Sequence, residues 1–508
     1  VNLYPYQETG VTFLRSAKSS LMADEMGLGK TVQTIQTLED EDWFPALIVA
    51  PNTVKYVWKS EFAQWAPNRT VVVAPNGTVA ATKAIQDIVE ERADVLVINW
   101  EALKNLSRLA GYGSIRLQTC SNCDPNSTRK PSQCEIEDKI LNAVTWCTVV
   151  ADEAHRAKGP KSKQTRALWA LGDKTCHRIA LTGTPISNTL EDLWSVMRFV
   201  APEEYPAKWP LMNRYGILVP NIHSGGVDVV GMREDRREEF DRFFLPRFIR
   251  RLKAQVLPDL PPKTYERRDV LLTGKQKKAY DDLRDSMVAK IDGGHLASTS
   301  VLTQALRLRQ LASAFAEVTE DEREKYQELN FDDLEKDSER VDAKLILAEP
   351  SSKLDALEEV LVELGDQPVV IFADSRQLID LAFKRLENKY VCGRITGPTS
   401  PEERSTAVEN FQAGRSRILL ATTGAGGEGI TLTAAKTAIF LQRPWSMVMN
   451  KQAEDRLHRI GQEAENVLYI DLVAKDTIED RVFEALTTKG EKLEELVRDA
   501  DTLKGWIR

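Results

Sequence analysis

The stretch Thr148-Val149-Val150-Ala151-Asp152-Glu153-Ala154-His155 reads as a short buried strand that stops on two carboxylates. An apolar run of this length, too short for a helix and followed at once by Asp-Glu, fits a strand covered on both faces whose carboxyl end meets solvent. Working outward, similar runs rich in Val and Ile recur at 46–50, 71–73, 95–98 and 179–181, separated by amphipathic stretches of helical length. Strand and helix in alternation imply a parallel sheet with helices on both sides. After Pro202 the pattern gives way to a helical, charge-rich region. It resumes at 369–373, 418–421, 438–441 and 468–470. The expected fold is α/β, with two parallel-sheet lobes flanking a helical middle.

Composition narrows the function classes. A chain of 508 residues is long enough for two to four domains, and 42% hydrophobic with 28% charged residues is a globular mixture. No apolar run approaches the roughly 20 residues that a membrane-spanning helix needs. The first residues, Val1 to Gln7, lack a basic head before an apolar stretch, and six cysteines are too few for a disulfide scaffold. The expected setting is a reducing cytoplasm, with no membrane partner.

The net charge of −8 argues against a polyanionic partner, but the charge is organised locally. Residues 317–342 hold 12 acidic and 4 basic side chains, which accounts for the whole excess. Residues 247–268 hold seven cations: Arg247, Arg250, Arg251, Lys253, Lys263, Arg267 and Arg268. Such a stretch either binds nucleic acid phosphates or is a solvated helix face.

The second chemical signal is Ala23-Asp24-Glu25-Met26-Gly27-Leu28-Gly29-Lys30-Thr31, followed by helix-compatible residues. Amides at a glycine turn and a helix N-terminus can cradle phosphates, while Lys30 reaches the β and γ oxygens and Thr31 ligates Mg²⁺. The usual pattern G-x-x-x-x-G-K-[ST] has Gly where this chain has Asp24. Asp152 at a strand tip then suits Mg²⁺, and Glu153 suits activation of the attacking water.

With these motifs in this order, the chain resembles the Swi/Snf-type branch of superfamily two DNA helicases and translocases, in a compact bacterial or phage form without flanking reader domains. The resemblance runs from Leu3 to about Glu484. It rests on Tyr6-Gln7, Asp24 to Thr31, Ala50-Pro51-Asn52 with Trp58, the DEAH box at 152–155, and Leu181-Thr182-Gly183-Thr184-Pro185 with Asn188. It continues through Arg250-Arg251-Leu252-Lys253, Leu260-Pro261-Pro262-Lys263, Ser352-Lys353-Leu354 and Ala425 to Ile430, and ends on Gln452-Ala453-Glu454-Asp455-Arg456-Leu457-His458-Arg459-Ile460-Gly461-Gln462.

The resemblance implies two RecA-like lobes in tandem: 1–205 as the ATP-binding lobe with a polar cysteine-containing insert at 107–142, 206–345 as helical insertions and a basic interlobe linker, and 346–508 as the second lobe. It implies ATP and Mg²⁺ as cofactors, Gln7 as an adenine contact, and Gly27, Gly29, Lys30, Thr31, Asp152 and Gln452 around the nucleotide. Spacings of four and three place Gln452, Arg456 and Arg459 on one face of an expected helix, the two arginines suiting a phosphoryl transition state. Two positions depart from the family pattern: Thr431 stands where Asn is usual, and Gln442 where Asp is usual, before Arg443. Both are expected at a DNA or interlobe contact.

The implied activity is ATP-dependent translocation on double-stranded DNA. Two rivals remain: a strand-separating helicase in replication, recombination or repair, and a remodeller of DNA-bound protein complexes. One further constellation, Cys120-x2-Cys123 and Cys134-x2-Glu137, has zinc-ribbon spacing with Glu in the fourth place. It reads as a Zn²⁺ site held by Cys120, Cys123 and Cys134, or as a polar hairpin with free thiols.

Overall fold

The computed structural model describes residues 3–107, 140–157, 159–183, 190–220, 226–286, 288–291, 294–297, 301–318, 345–426 and 430–489. Cys120, Cys123, Cys134 and Glu137, together with Thr184, Pro185, Asn188 and most of the acidic segment 317–342, lie outside them. The chain divides into two compact units, Val1–Pro258 and Asp259–Arg508, so that residues 206–345 are shared between the two. Among the described residues, no helix is long and apolar enough to cross a membrane.

The first unit holds β1 (Ser20–Met22), β2 (Ala46–Ala50), β3 (Val71–Val73), β4 (Val95–Asn99), β5 (Thr148–Ala151), β6 (His177–Leu181), the hairpin β7 (Gly216–Pro220) with β8 (Val227–Met232), and β9 (Phe248–Ile249). Seven of these form one sheet in the order β3-β4-β2-β5-β6-β1-β9, every pair parallel. Side chains alternate across it, as the pleat requires. Leu47, Val49, Leu96, Ile98 and Val149 enter one core, whereas Ala46, Ile48, Val95, Val97 and Val150 enter the core on the opposite face.

The second unit holds β10 (Lys263–Val270), the hairpin β11 (Val288–Ile291) with β12 (Gly294–Ala297), β13 (Phe315–Val318) paired to β14 (Leu345–Ala348), β15 (Val369–Ala373), β16 (Cys392–Ile395), β17 (Ile418–Thr422), β18 (Thr437–Gln442) and β19 (Val467–Ala474). Its main sheet runs β10-β19-β18-β15-β17-β16, again parallel throughout. Val369, Ile371 and Leu420 face one core, and Val370, Phe372 and Leu419 the other.

The middle region carries more strand than its charge pattern implies. β10, Lys263-Thr264-Tyr265-Glu266-Arg267-Arg268-Asp269-Val270, is an edge strand hydrogen-bonded along its whole length to β19. Polar side chains on an exposed edge discourage pairing with other chains. They also erase the apolar run by which an interior strand is recognised.

Candidate functional site

Because β1, β5 and β6 are parallel, the loops that leave their carboxyl ends emerge on one edge of the first sheet, where α/β sheets present ligands. The loop after β1 turns through Gly27 (φ 83°) and Gly29 (φ 73°) into the helix Lys30–Asp40. A Cβ on Gly29 would fall 2.4 Å from Gln7 Nε2, so both backbone angle and space call for glycine. The Leu28 carbonyl accepts from Tyr6 OH (3.2 Å), Gln33 Nε2 (3.0 Å) and Gln7 Nε2 (3.4 Å), which pins the loop from inside. Gln7 Oε1 in turn accepts from the Tyr4 amide at 3.0 Å. Both ends of the Gln7 amide are therefore engaged on backbone, one of them on this loop.

The Lys30 ammonium donates to the carbonyls of Asp24 (2.8 Å) and Glu25 (3.3 Å). It also bears electrostatically on Asp152, the first residue beyond β5. The Asp152 carboxylate is buried and accepts from Trp58 Nε1 and from the Glu153 amide, each at 2.9 Å, while Trp100 Nε1 holds its backbone carbonyl at 2.9 Å. Burial first, and then the adjacent Glu153 charge, push the Asp152 carboxyl up to about 6, against the Trp58 hydrogen bond and the Lys30 charge. A buried carboxylate disfavoured in this way is relieved by a cation. With the Thr31 hydroxyl on the first turn of the helix Lys30–Asp40, the donors are oxygens suited to Mg²⁺.

Glu153 has φ 50°, a left-handed conformation uncommon for a side chain of this size and often met at functional sites. Its carboxylate lies 3.2 Å from His155 Nδ1, which is 3.5 Å from the Thr182 hydroxyl just beyond β6. The turn after β5 and the end of β6 thus fix where the Glu153 carboxylate sits.

Asp24, the departure from the usual glycine, has a structural reason. Its fully buried carboxylate accepts from the amide and Nε of Arg251 (3.0 Å each) and pairs with the same guanidinium through its second oxygen. Arg251 further donates to Gln33 Oε1 (2.7 Å) and to the Tyr6 carbonyl. The tryptophan donors Trp58 and Trp100 carry this site without having been assigned a role from sequence, and Arg251, read there as one cation of a basic stretch, instead holds the loop through Asp24. The Asp at position 24 was the signal that a cation must lie opposite.

Most cations of the basic stretch 247–268 are paired within the protein. Arg247 pairs with Glu204 at 2.5 Å and reaches the carbonyls of Ala17 and Ser19. Lys253 is buried. Lys263 pairs with Glu454 (3.1 Å) and Asp455 (3.2 Å), Arg267 with Asp269 and Asp480 (2.6 Å each), and Arg268 with Glu363 (2.8 Å). Arg250 and Arg267 are the exposed residues of the seven, and Arg267 is paired as above. Neither of the two readings of this stretch, a phosphate-binding patch or a solvated helix face, describes it as it stands: most of its cations are spent on the protein's own carboxylates and carbonyls.

In the second unit, the helix expected to carry Gln452, Arg456 and Arg459 on one face ends at Glu454. Gln452 lies on it, but the two arginines lie on the turns that follow. The helix stops because its last residues are claimed from outside: Glu454 by Lys263, Tyr265 (2.8 Å) and Arg443 (2.8 Å), its carbonyl by Tyr469 OH (2.8 Å), and Asp455 by Lys263. The Arg456 carbonyl then accepts from the Leu432 amide at 3.0 Å. Gln442, expected at a DNA or interlobe contact, is turned inward, as is the following Arg443. Gln442 bonds the Ser375 amide and the Ser313 hydroxyl (3.1 Å each), and Arg443 pairs with Asp471 (2.5 Å) as well as Glu454.

Comparison with known proteins adds the following. Residues 6–315 match the SNF2-related domain, and residues 352–461 match the helicase conserved C-terminal domain. The chain is 28% identical over 513 residues to the CHD3-type chromatin-remodeling factor PICKLE of Arabidopsis thaliana, covering 97% of this chain and 34% of that protein. It is 29% identical over 521 residues to an uncharacterized ATP-dependent helicase of Mycoplasma genitalium, covering 99% of this chain and 43% of that protein. The chain thus spans less than half the length of these relatives. A solved structure of the Sulfolobus solfataricus SWI2/SNF2 ATPase core in complex with dsDNA is 24% identical, with TM-score 0.41, covering 99% of this chain and 94% of that one.

Proposed function

The chain belongs to the SNF2-related family, and on that premise we propose that it hydrolyses ATP and uses the energy to move along double-stranded DNA. One observation carries the reading: Lys30, on the loop after β1, bears electrostatically on Asp152, which follows β5 at the same edge of the first sheet. In this reading Gly27, Gly29, Lys30 and Thr31 hold the phosphates, with Gln7 and Gln452 as further nucleotide contacts. Thr31 and Asp152 hold Mg²⁺, which supplies charge neutralisation on the phosphate oxygens. Glu153 orients and deprotonates the attacking water, its carboxylate kept in place by the turn and by His155. Arg456 and Arg459 neutralise charge that develops on the transferring phosphoryl group.

DNA enters as a track gripped by its backbone, without reading of base sequence. The test is ATPase activity measured with duplex, single-stranded and no DNA. Stimulation by duplex supports the reading; stimulation by single strands alone favours the strand-separating helicase. The zinc reading of Cys120, Cys123 and Cys134 rests on spacing alone. About one Zn²⁺ per chain, lost on Cys120→Ser with Cys123→Ser, supports it, and a metal-free preparation made without chelator refutes it.

A further inference from the structure

In the second unit, side chains from β10, from β19 and from the end of β18 converge on one residue. Glu454, the last residue of the helix Met447–Glu454, is buried; its Oε2 accepts from Lys263 Nζ (3.1 Å) and Tyr265 OH (2.8 Å), and its Oε1 from Arg443 Nη1 (2.8 Å). Lys263 and Tyr265 stand two residues apart on the edge strand β10, which puts both on the same side of it. Arg443 follows β18 and also pairs with Asp471 on β19. The main chain is held as well: the Glu454 carbonyl accepts from Tyr469 OH on β19 (2.8 Å) and from the amides of Leu457 and His458 (3.1 Å each). The turns that carry Arg456 and Arg459 start from this point. The Arg456 amide donates to the Ala453 carbonyl (3.2 Å), the Arg456 carbonyl accepts from the Leu432 amide (3.0 Å), and the Arg459 amide donates to the Leu457 carbonyl (3.0 Å). A shift of Glu454 therefore moves both arginines. Replacing a buried charge cluster by apolar residues is often neutral for stability, so stability alone gives no reason for this one.

We propose that Glu454 is the positioning residue of the Arg456–Arg459 segment, fixed to the second sheet by Lys263, Tyr265 and Arg443. Resting on the ATPase reading above, the proposal adds which groups set the geometry of the two arginines. None of the four touches the nucleotide in this scheme. They place groups that act only on the transferring phosphoryl, so their loss appears in turnover and leaves nucleotide affinity as it was.

The test uses the full chain, with ATPase kinetics in the presence of duplex DNA, binding of a fluorescent ATP analogue and melting temperature measured side by side. Tyr265→Phe is the mildest probe: Tyr265 is 55% exposed and keeps its stack on Tyr469 (ring centroids 5.4 Å), so only the hydrogen bond to Glu454 is lost. It is expected to lower kcat about threefold at the parent melting temperature, and Lys263→Met to lower kcat about tenfold, both with unchanged analogue affinity. Lys263→Arg, which keeps the cation, recovers part of the rate. Glu454→Gln lowers kcat as well, and because Lys263 acts through Glu454, adding Lys263→Met to it costs little more; full additivity of the two overturns the proposal. It is equally overturned if Tyr265→Phe and Lys263→Met change only the melting temperature, with kcat per folded molecule like the parent, or if their loss falls on analogue affinity. Arg456→Ala separates the two levels: turnover at the parent rate in that variant defeats the role given to the arginine in the ATPase reading, whereas an inactive Arg456→Ala beside parent-like Tyr265→Phe and Lys263→Met defeats only this inference.

Discussion

Trp58 Nε1 lies 2.9 Å from Asp152 Oδ2, tying the helix Lys55–Trp65 after β2 to the residue that follows β5. The indole is fully buried beside Phe62, so its N–H has a single orientation and the carboxylate is held by it. A carboxylate whose ordinary ionisation is opposed by burial and by Glu153 depends on such donors to stay charged. Trp58→Phe keeps most of the packing and removes the donor. The expected cost is about 1–3 kcal/mol of stability, with a higher Mg²⁺ concentration needed for half-maximal ATPase. Chemical denaturation and a Mg²⁺ titration check the two parts.

Lys30→Ala and Glu153→Gln should both abolish hydrolysis yet differ in binding. In the proposed scheme Lys30 contributes to phosphate affinity, whereas Glu153 acts on water, so the Gln variant is expected still to bind ATP. Isothermal titration with a slowly hydrolysed analogue reads this directly, and Glu153→Gln turning over ATP at the parent rate would remove Glu153 from the mechanism.

Arg456→Ala and Arg459→Ala are expected to lower kcat by about 10³-fold or more while nucleotide affinity changes little, as for charges used in the transition state. Parallel measurement of single-turnover rates and analogue binding distinguishes this from a binding role. Equal losses in both quantities would count against it.

Arg443→Met should destabilise the second unit by about 3–5 kcal/mol, because it leaves Asp471 and Glu454 buried without their shared cation. Replacing Arg250, an exposed cation of its stretch, should leave stability unchanged and reduce the salt slope of DNA affinity by about one at most. Denaturant midpoints and DNA binding across a salt series test these expectations, and a slope falling by several units in the Arg250 variant would restore the basic stretch as the main DNA contact.

What could be read from sequence follows from whether the deciding contacts are local. Interior strands such as Ala46–Ala50 and Val369–Ala373 are legible because both faces are buried and every position is apolar. The edge strand Lys263–Val270 is hidden by the charges that protect its edge. Lys30 and Thr31 after β1, and Asp152 and Glu153 after β5, stand out in the sequence because each pair sits in one local turn, where the proposed phosphate and metal roles call for such spacing. The Arg251–Asp24 pair spans 227 residues and leaves only an unexpected Asp as its trace. The helix end at Glu454 is set by Lys263, 191 residues earlier, so a regular spacing of Gln452, Arg456 and Arg459 overstates the helix.

The central claim, ATP-driven travel on an intact duplex, is tested most directly by displacement of a third strand from a DNA triplex. The account predicts displacement that requires ATP and Mg²⁺, is lost in Glu153→Gln, and occurs with little unwinding of a blunt duplex. Robust unwinding of the blunt duplex, with no ATP-dependent displacement of the third strand, would contradict it.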